Sequence, residues 1–196
     1  MTYLFSSLAL VLATHELVGA ALAQTSGYAQ YVDPFHGTEN GAPFSVVKLG
    51  IDVSSGTTDA YSGYLPSGNV TGFSMLHESG TGGAPKYGVV SQLPVAGPVP
   101  NPLADVSVQR AAPDEAAVGY YRTALANGVT VELAGTNHAG LYRYAFPAGG
   151  EASIVVDVSH VLPSYRGLGW GQNYAGGGFE VFEDGHYEGN GTYNNG

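Results

Sequence analysis

His77 and Glu78 stand side by side in the stretch GFSMLHESGTGGAPKY (Gly72–Tyr87), between an apolar run and a loop holding Gly80, Gly82 and Gly83. Glycine permits positive φ and close approach to the main chain, so polar, titratable groups beside such a loop mark a candidate binding site. The competing reading is a tight turn with a surface His–Glu pair. Three nearby chemistries are excluded by single residues. A phosphate-cradling loop needs Gly before its lysine and Ser or Thr after it, but Pro85 and Tyr87 flank Lys86; Pro85 also takes the place of the third glycine of a dinucleotide fingerprint. A zinc-binding helix needs a second His four positions on, where Thr81 stands.

The elements that must position this stretch read as strands. Short β-rich runs broken by Gly, Pro and Asn recur, and no helical periodicity of useful length follows the first residues. Phe44–Leu49 and Gly88–Gln92 read as strands, and Pro94 to Pro102 as a proline-rich connector unsuited to a central strand. Val118–Leu125 and Val129–Ala134 flank Ala126-Asn127-Gly128, a hairpin signal. Gly140–Phe146 and Ala152–Asp157 continue the chain as an antiparallel meander. Val129, Val131 and Leu133 share one face, with Thr130 and Glu132 on the other, the pattern of a sheet covered on one side. Tyr142, Tyr144 and Phe146 also share a face, suited to core or to stacking on a sugar. A short strand is expected at Phe179–Phe182 in the Gly-, Asn- and Tyr-rich tail. The fold class is all-β, an antiparallel β-sandwich.

The chain has 196 residues, 44% of them hydrophobic, enough for one domain with a real core. Residues 1–23 have an apolar stretch and a small-residue end and read as a secretory signal, leaving 24–196 as the domain of a secreted protein. The apolar stretch is short for a spanning helix, so no membrane partner is expected. A net charge of −10 argues against nucleic acid and anionic lipid. With no cysteine, disulfides and thiolate metal sites are excluded. Asn69-Val70-Thr71 and Asn190-Gly191-Thr192 are N-glycosylation sequons that fit the secretory route.

The segment Gly72–Gly88 resembles the characteristic stretch of the N-terminal domain of glycoside hydrolase family 92, which contains calcium-dependent exo-α-mannosidases. Tyr31–Asp52, Val118–Pro147 and Ile154–His160 (IVVDVSH) agree in the same order, so the resemblance, closest to fungal-looking members, spans nearly all of the chain after its first residues. It implies a sandwich that packs against a C-terminal (α/α)6 domain and lends loops to a mannose pocket. Tyr64 and His77 match family positions and are expected to face that pocket, with Glu78, Gly80 and Gly82 completing the loop; a purely loop-shaping role is the competing reading. Inverting hydrolysis needs two carboxyl groups about 6.5–9.5 Å apart. Asp52, Asp59 and Glu78 show no spacing that makes them converge, and the resemblance puts acid and base on the helical domain, so no catalytic residue is assigned here. Calcium is expected in the complete enzyme, but no EF-hand spacing occurs and no ligand is assigned.

The resemblance further implies that the chain stops inside the sandwich, is inactive alone, and has α-mannoside glycans and the helical domain as partners. It departs from the family in passing from HGTENG straight to APFS, without a longer glycine-rich loop bearing Phe-Pro-Gly. The family's tryptophan before Gly63 has no counterpart either, since the only tryptophan is Trp170. The alternatives are a stand-alone carbohydrate-binding sandwich and a nonfunctional gene fragment.

Overall fold

The computed structural model describes residues 27–35, 52–54, 66–74, 76–78, 86–104, 106–135, 139–161 and 173–194. After a 3-10 turn at Tyr28–Tyr31 the chain forms β1 (Asp52–Ser54), β2 (Gly72–Ser74), β3 (Leu76–Glu78), β4 (Lys86–Val89) and β5 (Ser91–Ala96). Then follow β6 (Glu115–Ala117), β7 (Tyr120–Ala124), β8 (Thr130–Gly135) and β9 (Gly140–Ala145). β10 (Ala152–Asp157), β11 (Asn173–Val181) and β12 (Tyr187–Asn194) complete the described strands. One four-stranded antiparallel sheet has the order β1-β2-β5-β10 and a second is the meander β6-β7-β8-β9, while β3-β4 and β11-β12 are two-stranded ribbons.

The all-β sandwich expected from the sequence is the observed architecture. Asn127 and Gly128 close the β7–β8 hairpin: Gly128 has φ +86°, and the Asn127 side chain accepts from the Val129 N–H at 3.2 Å. Val129, just before β8, and Val131 and Leu133 within it are buried, each at most 1% exposed. Registered beside them are Tyr121 and Thr123 of β7 and Tyr142 and Tyr144 of β9. Phe73 of the other sheet joins the same apolar cluster. Each such buried side chain stabilises by about 1.5–3 kcal/mol. The aromatic row Tyr142, Tyr144 and Phe146 is partly buried against this cluster, so it is not an exposed platform.

Four expectations need correction. Ala152–Asp157 is a strand but leaves the meander: after Phe146, Pro147 lacks an N–H, Gly149 turns at φ +79°, and β10 pairs with β5 across the sandwich. Pro94 belongs to no connector. It is buried inside β5 opposite Ile154; β2 meets β5 only at Phe73↔Gln92, so its missing N–H falls where β2 has ended, in effect an edge. Gly88–Gln92 is not one strand, because Val90 adopts φ +55° and separates β4 from β5. The tail strand reaches from Asn173 to Val181 and pairs with β12, its glycines having masked its length. Those glycines allow close packing: a Cβ on Gly177 would lie 2.0 Å from the Asn190 carbonyl oxygen. The expected strand Phe44–Leu49 and the leader 1–23 lie outside the described residues.

Candidate functional site

His77 and Glu78 sit on β3, whose Cα partners on β4 are Tyr87 and Lys86. The register reveals how this ribbon is anchored. Phe73 pairs with Gln92 and Leu76 with Val89, so β2/β5 and β3/β4 keep one alignment across Met75 and Val90. They are two stretches of a single hairpin, bent where Val90 takes its left-handed conformation and shifted by one residue between Leu76 and His77. At the base, Phe73 is fully buried and Leu93 is 3% exposed, so the sandwich core anchors the arm that carries residues 79–85. A β-branched residue at positive φ is strained, and such conformations persist where surrounding structure imposes them. Tyr64, Gly80 and Gly82, and the alternative carboxylate Asp59, lie outside the described residues.

A second polar assembly escaped the sequence reading. Arg110 and Asp114 form an ion pair at 2.8 Å with side chains only 7% and 1% exposed. Tyr121 donates to the same carboxylate at 2.6 Å, and the Arg110 guanidinium donates to the Gly68 carbonyl. The cluster borders a cleft of about 730 Å³ that Phe35 and Asn69 also line. The four-residue separation was visible in the sequence, but without a helix there it carried no signal. A third network joins the two sheets to the last ribbon: Tyr144 donates to the Gln92 side-chain oxygen at 3.2 Å, and Gln92 donates to Tyr187 at 2.5 Å. Burial, aided by neighbouring Tyr142 and Tyr187, raises the Tyr144 phenol well above its usual range.

Asp157 of the IVVDVSH segment accepts from the Ser159 N–H at 2.8 Å and its hydroxyl at 2.6 Å, a turn that closes β10. Both sequon asparagines are exposed; Asn190 lies mid-strand opposite Gly178. Among the described residues no three His, Asp or Glu side chains are placed to hold a metal ion, and no helix is long and apolar enough to cross a membrane.

The sequence profile of the glycosyl hydrolase family 92 N-terminal domain matches residues 31–196. The chain belongs to glycosyl hydrolase family 92. As a family 92 N-terminal domain it has a fungal relative, an "uncharacterized secreted glycosidase" of Arthroderma benhamiae, 32% identical over 177 aligned residues. That match takes in 76% of this family 92 chain but 22% of the relative, so the chain spans about a fifth of the relative's length. The long hairpin Gly72–Ala96, with His77 and Glu78 on its distal part, falls wholly within the family 92 match.

Proposed function

We propose that this domain is the N-terminal sandwich of a secreted exo-α-mannosidase, acting on mannose-containing glycans by inversion. In this reading the hairpin Gly72–Ala96 carries His77, Glu78, Gly80 and Gly82 to the rim of the mannose pocket, with Tyr64 on the same rim. The catalytic acid and base belong to a partner helical domain, as does calcium binding, which would supply electrostatic stabilisation of charge near the sugar. The observation that carries the proposal is the family match over residues 31–196, which includes the whole hairpin. The fungal relative, named as a secreted glycosidase, supports glycoside cleavage and secretion. A buried base at Phe73 and Leu93 suits an arm that must hold its loop against a separate domain.

The test compares residues 1–196 with a chain that also carries a family 92 helical domain. Hydrolysis of an aryl α-mannoside is expected only from the longer chain, with inversion at the anomeric carbon and loss of activity on calcium chelation. Hydrolysis by 1–196 alone overturns the division of labour. A longer chain that cleaves other glycosides and spares α-mannosides overturns the substrate assignment. Mannose binding by 1–196 alone, with a cooperative melt, transfers the reading to a free-standing carbohydrate-binding module.

A further inference from the structure

The two sequons differ in what surrounds them. Asn190 stands on the exposed face of β12 opposite Gly178, and the residues flanking it on that face, Glu188 and Thr192, are exposed as well. Asn69 is also exposed, but it borders the cleft of about 730 Å³ whose other walls include Phe35, Gln109 and the Arg110–Asp114 pair. That volume falls within the range of small-ligand clefts, about 300–1,000 Å³. Its lining offers an aromatic ring, an amide and a charge-paired guanidinium, a mixture suited to an uncharged ligand with hydroxyl and amide groups and one apolar face. The residue after Asn69 is immobilised: Val70 is fully buried and exchanges backbone hydrogen bonds of 2.8 and 2.9 Å with Val108. The asparagine therefore has an anchored backbone beside the cleft.

We infer that Asn69 carries an N-linked glycan whose first N-acetylglucosamine seats in this cleft against Phe35. In the modification the Asn69 Nδ2 bonds to the anomeric carbon of a polyprenyl-diphosphate-linked oligosaccharide and gives up one proton to solvent. The bond from that carbon to the diphosphate oxygen breaks, and the diphosphate leaves with the electron pair. The substituted amide keeps one N–H. That hydrogen can maintain the bond that Asn69 Nδ2 makes to the Ser107 hydroxyl at 3.3 Å. A glycan on Asn190 has no such cradle and extends into solvent, which makes it an internal control.

The inference rests on the secretory reading above. The 196-residue chain is expressed in a secreting fungal host, once with its own N-terminus and once behind an independent secretion signal, and glycopeptides are mapped by mass spectrometry. Modification of Asn69 only behind the second signal sinks the secretory reading and leaves the cradle standing. Melting is then compared for the intact glycoprotein, the form trimmed to its first sugar and Asn69→Gln. The first two are expected to melt together and the third about 2–4 °C lower, the shift that loss of one good contact gives in a chain of this size. Asn190→Gln is expected to leave the midpoint unchanged, and Phe35→Ala to lower it more in the glycosylated protein than in the Asn69→Gln background. If Asn69→Gln does not fold, enzymatic removal of the whole glycan replaces it. An unmodified Asn69 behind both signals, or equal midpoints with and without the first sugar, overturns the inference.

Discussion

Asp114→Asn removes the negative charge facing the Arg110 guanidinium while keeping the size of the side chain. Two observations set the magnitude. Both charged side chains are nearly withdrawn from water, at 7% and 1% exposure, and Tyr121 donates to the carboxylate at 2.6 Å. Removing one partner of a buried pair costs about 3–5 kcal/mol, because the remaining charge stays in surroundings that solvate it poorly. Arg110 keeps its bond to the Gly68 carbonyl, and the substituted amide still offers an acceptor, so the lower half of that range is expected. The control is Arg122–Glu115, a 2.6 Å pair that is shorter but 37% and 64% exposed. Water and salt screen it, and Glu115→Gln should cost less than about 1 kcal/mol. Urea unfolding of the full chain, at low and high ionic strength, measures both. A large, salt-insensitive loss for Asp114→Asn beside a small loss for Glu115→Gln is the expected pair of results. If Asp114→Asn costs no more than the surface control, the guanidinium is solvated and burial of the cluster does not set its energy.

Two further perturbations follow from the backbone and the phenols. Val90→Gly removes the αL strain of a β-branched residue at φ +55°, worth about 1–2 kcal/mol, against a glycine entropy cost of about 0.5–1 kcal/mol. A net gain on the order of 0.5–1 kcal/mol in denaturant unfolding is expected, and a loss would show that the valine side chain matters more than its strain. The Tyr144 and Tyr120 phenols are both raised, chiefly by burial, with Tyr120 also bonded to Glu132 at 2.7 Å. A folded-state value above the unfolded one of about 10 means that stability is fully present below that pH. It falls as pH rises beyond, because the unfolded chain then gives up protons that the folded one retains. Unfolding curves taken upward from neutral pH should show this decline, and Tyr144→Phe should make it shallower; an unchanged slope would place the ionisation elsewhere.

The residue string carried the local structure well. Asn127-Gly128 announced its hairpin, because only a turn with positive φ joins two such strands so closely, and the alternation of Val129, just before β8, with Val131 and Leu133 within it named the buried face. Ordered motifs gave the family before any contact was known, and the profile match over residues 31–196 agrees with them. Of the candidate site, the sequence located the His77–Glu78 stretch; the register added that its ribbon continues a hairpin rooted at Phe73 and Leu93.

Tertiary structure decided what periodicity does not encode. Ala152–Asp157 has the same strand pattern whichever sheet it joins, and the turn at Pro147–Gly150 with the pairing partner offered by β5 sent it across the sandwich. Pro94 entered a strand because its neighbour had already ended, a fact about β2 that lies some twenty residues away. Arg110 and Asp114 became a buried pair through Gly68 and Tyr121, one from the preceding segment and one from β7. Alternation along a chain reports which side chains share a face; which face meets which, and how much water remains between them, depends on contacts between distant segments.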